Sequence, residues 1–292
     1  MSVSTAAKIA GLEAIQKKGW LRAHKWLLLR RFSQISILSL FLIGPLFGIW
    51  IVKGNMSSSL TLDVLSLTDP FVFVQSLLSG HMVETTAVVG ALIVFGFYAL
   101  LGGRVYCAWV CPINIVTDIA DWFYRKLNIK SPVHFSKNNR YALLAAILAV
   151  TIVSGIMVWE LVNPVTMLQR ELVFAMGFSW VLILAIFIVD AFISRRAWCG
   201  RFCPMGAFYS LLGTVSFIRV NALNRGACND CMDCYVVCPE PQVIKPVLKK
   251  GDELNPVILA GNCTNCGRCI DVCSEDVFSL GMRSAKFTDI AK

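Results

Sequence analysis

Apolar residues fall in long runs here, rather than at the helical or alternating spacing of a water-facing domain. Four runs carry no charge and approach the roughly 20 helical residues that span a bilayer core. They are residues 35–52, 85–103, 141–159 and 172–189. Each reads as a transmembrane helix; Gly44 and Pro45 interrupt the first, which a membrane helix tolerates. From residue 221 the pattern turns polar, with prolines at 239, 241, 246 and 256 and only short apolar pieces. The expected fold is an α-helical membrane protein, a four-transmembrane-helix bundle followed by a small soluble domain. Its regions are a basic segment 1–34, a membrane domain 35–220 and a tail 221–292.

Composition supports this division. Charged residues make up 15% of the chain and hydrophobic ones 57%, where soluble domains carry about 25% charge. So few charges cannot coat a water-facing surface, which excludes an ordinary soluble globule and a disordered chain. The first run reads as a permanent anchor, because 34 residues precede it and no small-x-small cleavage pattern follows it.

The net charge of +9 is unevenly placed. Lys and Arg number seven in residues 1–34, one in 53–84, six in 104–140, one in 160–171 and five in 195–227. Positive charge marks cytoplasmic segments, so both termini are expected on the cytoplasmic side of the membrane. Loops 53–84 and 160–171 then face the other side. The basic segments suit an anionic lipid surface rather than nucleic acid.

The twelve cysteines carry the chemistry. The tail holds Cys228-x2-Cys231-x2-Cys234-x3-Cys238-Pro239 and Cys263-x2-Cys266-x2-Cys269-x3-Cys273. This is the bacterial ferredoxin spacing for [4Fe–4S] clusters, in which the fourth cysteine serves the other cluster. The expected ligand sets are Cys228, Cys231, Cys234 and Cys273 for one cluster, and Cys263, Cys266, Cys269 and Cys238 for the other. All-cysteine zinc sites use separated pairs instead, and a cytoplasmic tail disfavours disulfides. Asp230, Asp233, Asp271, Glu275 and Asp276 read as surface acids around these loops.

A second repeat holds the other four cysteines. Arg104-Val-Tyr-Cys107-Ala-Trp-Val-Cys111-Pro112 follows the second run, and Arg196-Ala-Trp-Cys199-Gly-Arg-Phe-Cys203-Pro204 the fourth. Both C-x3-C-P motifs sit at the inner end of a span, so they can face each other. Three roles stay open: four thiolates on a third metal centre, redox-active or partner-contacting thiols, or structure alone.

Only His24, His81 and His134 occur, none within a span, which excludes His-ligated haem between the helices. The C-x-x-C-H, G-x-G-x-x-G and Walker A patterns are absent. Ionisable groups near the outer boundary are Asp69, His81, Glu84 and Glu160; Asp190, at the inner end, is expected to pair with Arg195 or Arg196.

Long runs of the chain resemble the NapH family, membrane ferredoxin-type subunits of the periplasmic nitrate reductase system. They include Leu67-Thr68-Asp69-Pro70, Gly102-Gly103-Arg104-Val105-Tyr106-Cys107, Trp159-Glu160-Leu161-Val162-Asn163-Pro164 and Cys203-Pro204-Met205-Gly206-Ala207-Phe208-Tyr209. The NosR-type and CcoG/FixG-type relatives share the cysteine pattern but carry an extra periplasmic domain or a further C-terminal extension. The resemblance implies an electron-transfer subunit of a quinol dehydrogenase rather than a self-contained enzyme. Electrons would pass from quinol through two [4Fe–4S] clusters toward the nitrate reductase NapAB. The implied partners are a NapG-like periplasmic ferredoxin and a NapC-like tetrahaem cytochrome. Glu160 is the expected proton acceptor for quinol. The alternatives are a non-catalytic anchor or assembly protein for redox partners, and a metal reductase like the CcoG/FixG relatives.

Overall fold

The computed structural model describes residues 10–129, 133, 135–174, 177–249 and 255–284. Lys8 and Lys130 of the charge count, the start of the basic segment and the end of the tail lie outside them. Helices α1 (Leu12–Lys18), α2 (Trp20–Ala23) and α3 (Lys25–Phe47) open the described chain. A three-stranded antiparallel meander follows: β1 (Val52–Gly54), β2 (Ser58–Thr61) and β3 (Leu65–Thr68). Then come α4 (Pro70–Leu78), α5 (Thr85–Leu101), a π-helical turn at Tyr106–Val110 and α6 (Ile113–Lys126).

The second half repeats this order without the meander. It runs α7 (Asn139–Ser154), α8 (Val158–Val162), α9 (Pro164–Phe174) and α10 (Ser179–Ile188). Further π-helical turns at Val189–Ile193 and Trp198–Phe202 lead into α11 (Pro204–Leu212).

The short helices α4 and α9 start for the same reason. Proline at the first helical position fixes the backbone without wasting a donor. The residue before it caps the free amides. Asp69 accepts from the Phe71 and Val72 amides, and Asn163 Oδ1 accepts from the Val165 amide at 3.1 Å. Helix α5 lies on β3 so closely that a Cβ at Gly90 would sit 1.9 Å from the Ser66 carbonyl oxygen. Gly103 likewise admits the backbone of α11, with the Tyr209 carbonyl oxygen 2.0 Å from its would-be Cβ.

The first apolar helix differs from the expected 35–52. It begins at Lys25 and ends at Phe47. Gly48 adopts the left-handed conformation and its amide closes the helix on the Gly44 carbonyl. The polar start remains helical because Arg30 and Gln34 are buried against protein. Among the described residues this is the one helix long and apolar enough to cross a membrane. Thr85–Leu101, Asn139–Ser154 and Ser179–Ile193 are shorter apolar helices.

The tail is small and separately cored. Strand β4 (Ile218–Asn221) pairs antiparallel with β5 (Ser279–Met282). Between them lie α12 (Asp233–Val237), α13 (Lys245–Lys249) and α14 (Arg268–Val272). Val220, Ile244, Val247, Ile258 and Phe278 form its core with the cysteine side chains.

Candidate metal centres

Three cavities of about 20 Å³ each are lined by four cysteines apiece. Cys228, Cys231, Cys234 and Cys273 border the first; Cys238, Cys263, Cys266 and Cys269 border the second. Each set joins three cysteines of one run to the fourth of the other. The two loops wind alike: Asp230 and Met232 in one, and Asn265 and Gly267 in the other, all have positive φ. Left-handed residues on both sides of the middle cysteine curl the loop, so three sulfurs point inward. The Val277 amide donates to Cys273 Sγ at 3.4 Å.

These chambers fit a cluster better than a single ion. Tetrahedral zinc at about 2.3 Å would draw its sulfurs to about 3.8 Å from one another. Among the described residues no group of three or more His, Cys, Asp or Glu is arranged to hold a metal ion. Four thiols converge on each hollow, the all-thiolate set that iron–sulfur clusters take. Burial pushes the thiols up, Cys234 to about 12 and Cys263 to about 11. At Cys266 burial is outweighed by Arg268 and Arg30, which hold it below the usual thiol range.

The third cavity contains Cys107, Cys111, Cys199 and Cys203, one pair from each C-x3-C-P motif. The π-helical turns carry Cys107 and Cys199, while Cys111 and Cys203 sit extended at their ends, before a proline that starts α6 or α11. The expected shared α-helical face is therefore replaced by a wider turn. Its cause is the extended residue and proline that stop the helix. Trp159, Asn163 and Pro164 close the same cavity from another side.

Charged residues tie the second and third chambers together. Buried Arg104 donates to the Cys199 carbonyl at 3.0 Å, to the Asn262 carbonyl at 3.0 Å and to Glu240 at 2.9 Å. Arg140 also binds Glu240 at 2.9 Å and Asn262 Oδ1 at 2.7 Å. Glu240 follows Cys238-Pro239 and Asn262 precedes Cys263. Sequence reasoning missed Glu240 and Asp118. A carboxylate immediately after a C-P motif was the available signal for the first; Asp118 had none.

Several expected acids have other partners. Asp190 does not pair with Arg195 or Arg196: its carboxylate accepts the Trp198 amide at 2.9 Å. Those arginines bind Asp121, which already holds Arg125 on its own helix. The tail acids do more than cover a surface, because the N-terminal helices dock on them. Asp233 accepts from the Gly11 amide at 2.9 Å, and Asp271 from those of Trp26 and Leu27 at 3.0 and 2.9 Å. Lys17 reaches Glu275 and Lys18 reaches Asp276.

Asp69 receives the Tyr209 hydroxyl at 2.5 Å, and His81 meets Ser79 at 2.7 Å. Thr86 donates to Glu84 at 3.3 Å. Glu160 accepts from Ser57 at 2.9 Å and Asn163 at 3.1 Å, and borders none of the three cavities. A larger, mostly apolar cavity of about 430 Å³ lies between the N-terminal helices, α6 and the tail. Its walls include His24, Leu27, Ile119, Trp122, Arg268 and Val272. Val272 also borders the first cysteine chamber and Arg268 the second.

Comparison with known proteins agrees with this chemistry. A family described as a 4Fe-4S binding domain matches residues 83–130 and 176–220, and a 4Fe-4S dicluster domain matches 227–277. The chain is 48% identical to the ferredoxin-type protein NapH of Escherichia coli, over 94% of this chain and 95% of that one. It is 46% identical to NapH of Haemophilus influenzae, over 96% and 98%. It is 49% identical to the methylamine utilization ferredoxin-type protein MauN of Paracoccus denitrificans, over 92% and 95%. No solved structure matches.

Proposed function

Because the chain belongs to the NapH family of ferredoxin-type proteins, we propose that it is the quinol-oxidising electron-transfer subunit of a membrane quinol dehydrogenase. The observation that carries this reading is the 430 Å³ cavity whose walls are shared with both tail chambers. Its surface is mainly apolar, with charged residues such as Arg30, Asp118 and Arg268 on the walls, and its size suits a quinol headgroup. Two [4Fe–4S] clusters, held by Cys228, Cys231, Cys234 and Cys273 and by Cys263, Cys266, Cys269 and Cys238, supply one-electron redox chemistry when bound.

The chain's own residues prepare the reaction. Trp122, Ile119 and Leu27 offer the ring apolar surface to pack on. Oxidation of a quinol to a quinone releases two electrons and two protons, so a proton acceptor must touch the cavity. His24, whose imidazole is a nitrogen base, lines the wall. Glu160, expected in that role from the sequence, is held by Ser57 and Asn163 away from this cavity.

The proposed topology has four spans with both termini cytoplasmic. It draws support from exposed apolar side chains on α5, α7 and α10, such as Leu92, Phe95, Val150, Val153, Trp180 and Leu184. Lipid is the solvent that suits such faces. Electrons then leave toward a periplasmic nitrate reductase through NapG-like and NapC-like partners. The equal identity to MauN favours a second reading, the same subunit serving methylamine utilization.

Anaerobic EPR of the full chain in detergent tests the reading. Reduced-cluster signals should appear on adding a quinol analogue. Leu27→Trp, which fills the cavity, should abolish them while dithionite still gives the full signal. Signals in the wild-type chain with dithionite alone would refute quinol oxidation by this subunit.

A further inference from the structure

We infer that Cys107, Cys111, Cys199 and Cys203 hold a third iron–sulfur cluster, a single centre made jointly by the two halves of the repeat. Each C-x3-C-P motif supplies two thiolates, too few for a cluster alone. The fold unites motifs separated in sequence, so that all four sulfurs border one cavity. That cavity has the volume of each ferredoxin chamber and the same number of cysteines. All four cysteines are free.

The surroundings match a cluster's needs. The Gly206 amide donates to Cys203 Sγ at 3.4 Å, the counterpart of the Val277 amide on Cys273. Amide hydrogen bonds to cluster sulfurs are a known control on potential. Tyr106, Trp159 and Trp198 keep water out. A tetrathiolate centre is anionic, and buried Arg104 lies beside Cys107 while bonding the Cys199 carbonyl.

Location gives the centre a purpose. Arg104 joins this chamber to Asn262 and Glu240, which flank Cys263 and Cys238 of the tail. Another wall comes from Trp159 of α8 and from Asn163 and Pro164 at the start of α9. A redox centre here stands between the tail and the start of α9. The ligand assignment is independent of whether quinol is the electron donor.

The test is iron and acid-labile sulfide counted on the full chain, purified anaerobically in detergent, alongside Mössbauer spectra. About twelve iron atoms per chain are expected, against about eight for two ferredoxin clusters. Cys107→Ser and Cys203→Ser, one from each motif, should each lower the count to about eight and leave the dithionite-reduced ferredoxin signals in place. Cys231→Ser should instead remove a ferredoxin signal and spare the third centre. A wild-type count of about eight, or alkylation showing these four cysteines as two disulfides, overturns the proposal. The wild-type count decides the matter even if a variant fails to accumulate.

Discussion

Two buried carboxylates, Asp118 and Glu240, solve the same problem in opposite ways. Asp118 belongs to α6 and gathers Arg30, Arg31, Arg196 and the tail's Arg268. Glu240 belongs to the tail and gathers Arg104, Lys137 and Arg140 from the helical region. At each node one arginine precedes a C-x3-C-P motif and another comes from the first long helix of the other half: Arg196 with Arg30, and Arg104 with Arg140. The repeat thus sets out two equivalent sockets for an anion. The first half fills its socket from its own helix, while the second is filled by the tail. A repeat fixes the positions of its cations, and the partner that neutralises them is free to come from elsewhere.

Both carboxyls are held below their ordinary range. Burial opposes ionisation at each, and the surrounding arginines outweigh it. The comparison can be broken at Glu240, which is 2% exposed. Glu240→Gln strands Arg104 and Arg140 and should cost about 3–5 kcal/mol, the usual penalty for removing one partner of a buried pair. Asp118 is 13% exposed, so Asp118→Asn should fall toward the low end of that range. Thermal melts followed by cluster absorbance and by tryptophan fluorescence check both. Glu240→Gln should lower the absorbance transition further, and equal shifts would erase the distinction between the nodes.

The capping residues sharpen the same comparison. Burial raises Asp69 from 3.8 to about 6 against the hydrogen bonds from Tyr209 and the α4 amides, while the second half uses neutral Asn163. A carboxyl raised on folding contributes stability below pH ~4 that is lost as pH rises through about 6. Two pKa units correspond to about 3 kcal/mol. Stability should therefore decline between pH ~4 and ~6, and Asp69→Asn, which copies the second half, should flatten that decline. Denaturation at fixed pH values reads it. The smallest effect is expected of Tyr209→Phe, which removes one buried hydroxyl from Asp69. About 1.5–3 kcal/mol is typical for a hydrogen bond to a charged group, measured as a shift in melting temperature.

Much of the molecule was legible because its signals are local. Ferredoxin spacing gives both the loops and the crossed fourth cysteine, since Cys238 and Cys273 follow their triplets at a fixed distance. Proline after Asp69 and Asn163 announces two helix starts. The extent of α3 was not legible, because Arg30 is buried beside Asp118 and the tail's Arg268, and Gln34 against the Ala108 and Cys111 carbonyls. Nor was the partner of Asp190, since backbone amides carry no residue signature.

The sequence by itself determined the chemistry: twelve thiols in four motifs, an apolar chain with basic segments alternating along it, and two copies of one helical unit. Ligand spacing and hydrophobic runs act over a few residues, so they survive in one dimension. Only the tertiary structure decided which thiols share a cavity across the repeat, which acid answers which arginine, and where the hollow of about 430 Å³ opens. Those depend on contacts such as Arg104 with Glu240 and Arg268 with Asp118. Such pairs form between distant residues because a buried charge must find its counterion wherever the fold supplies one.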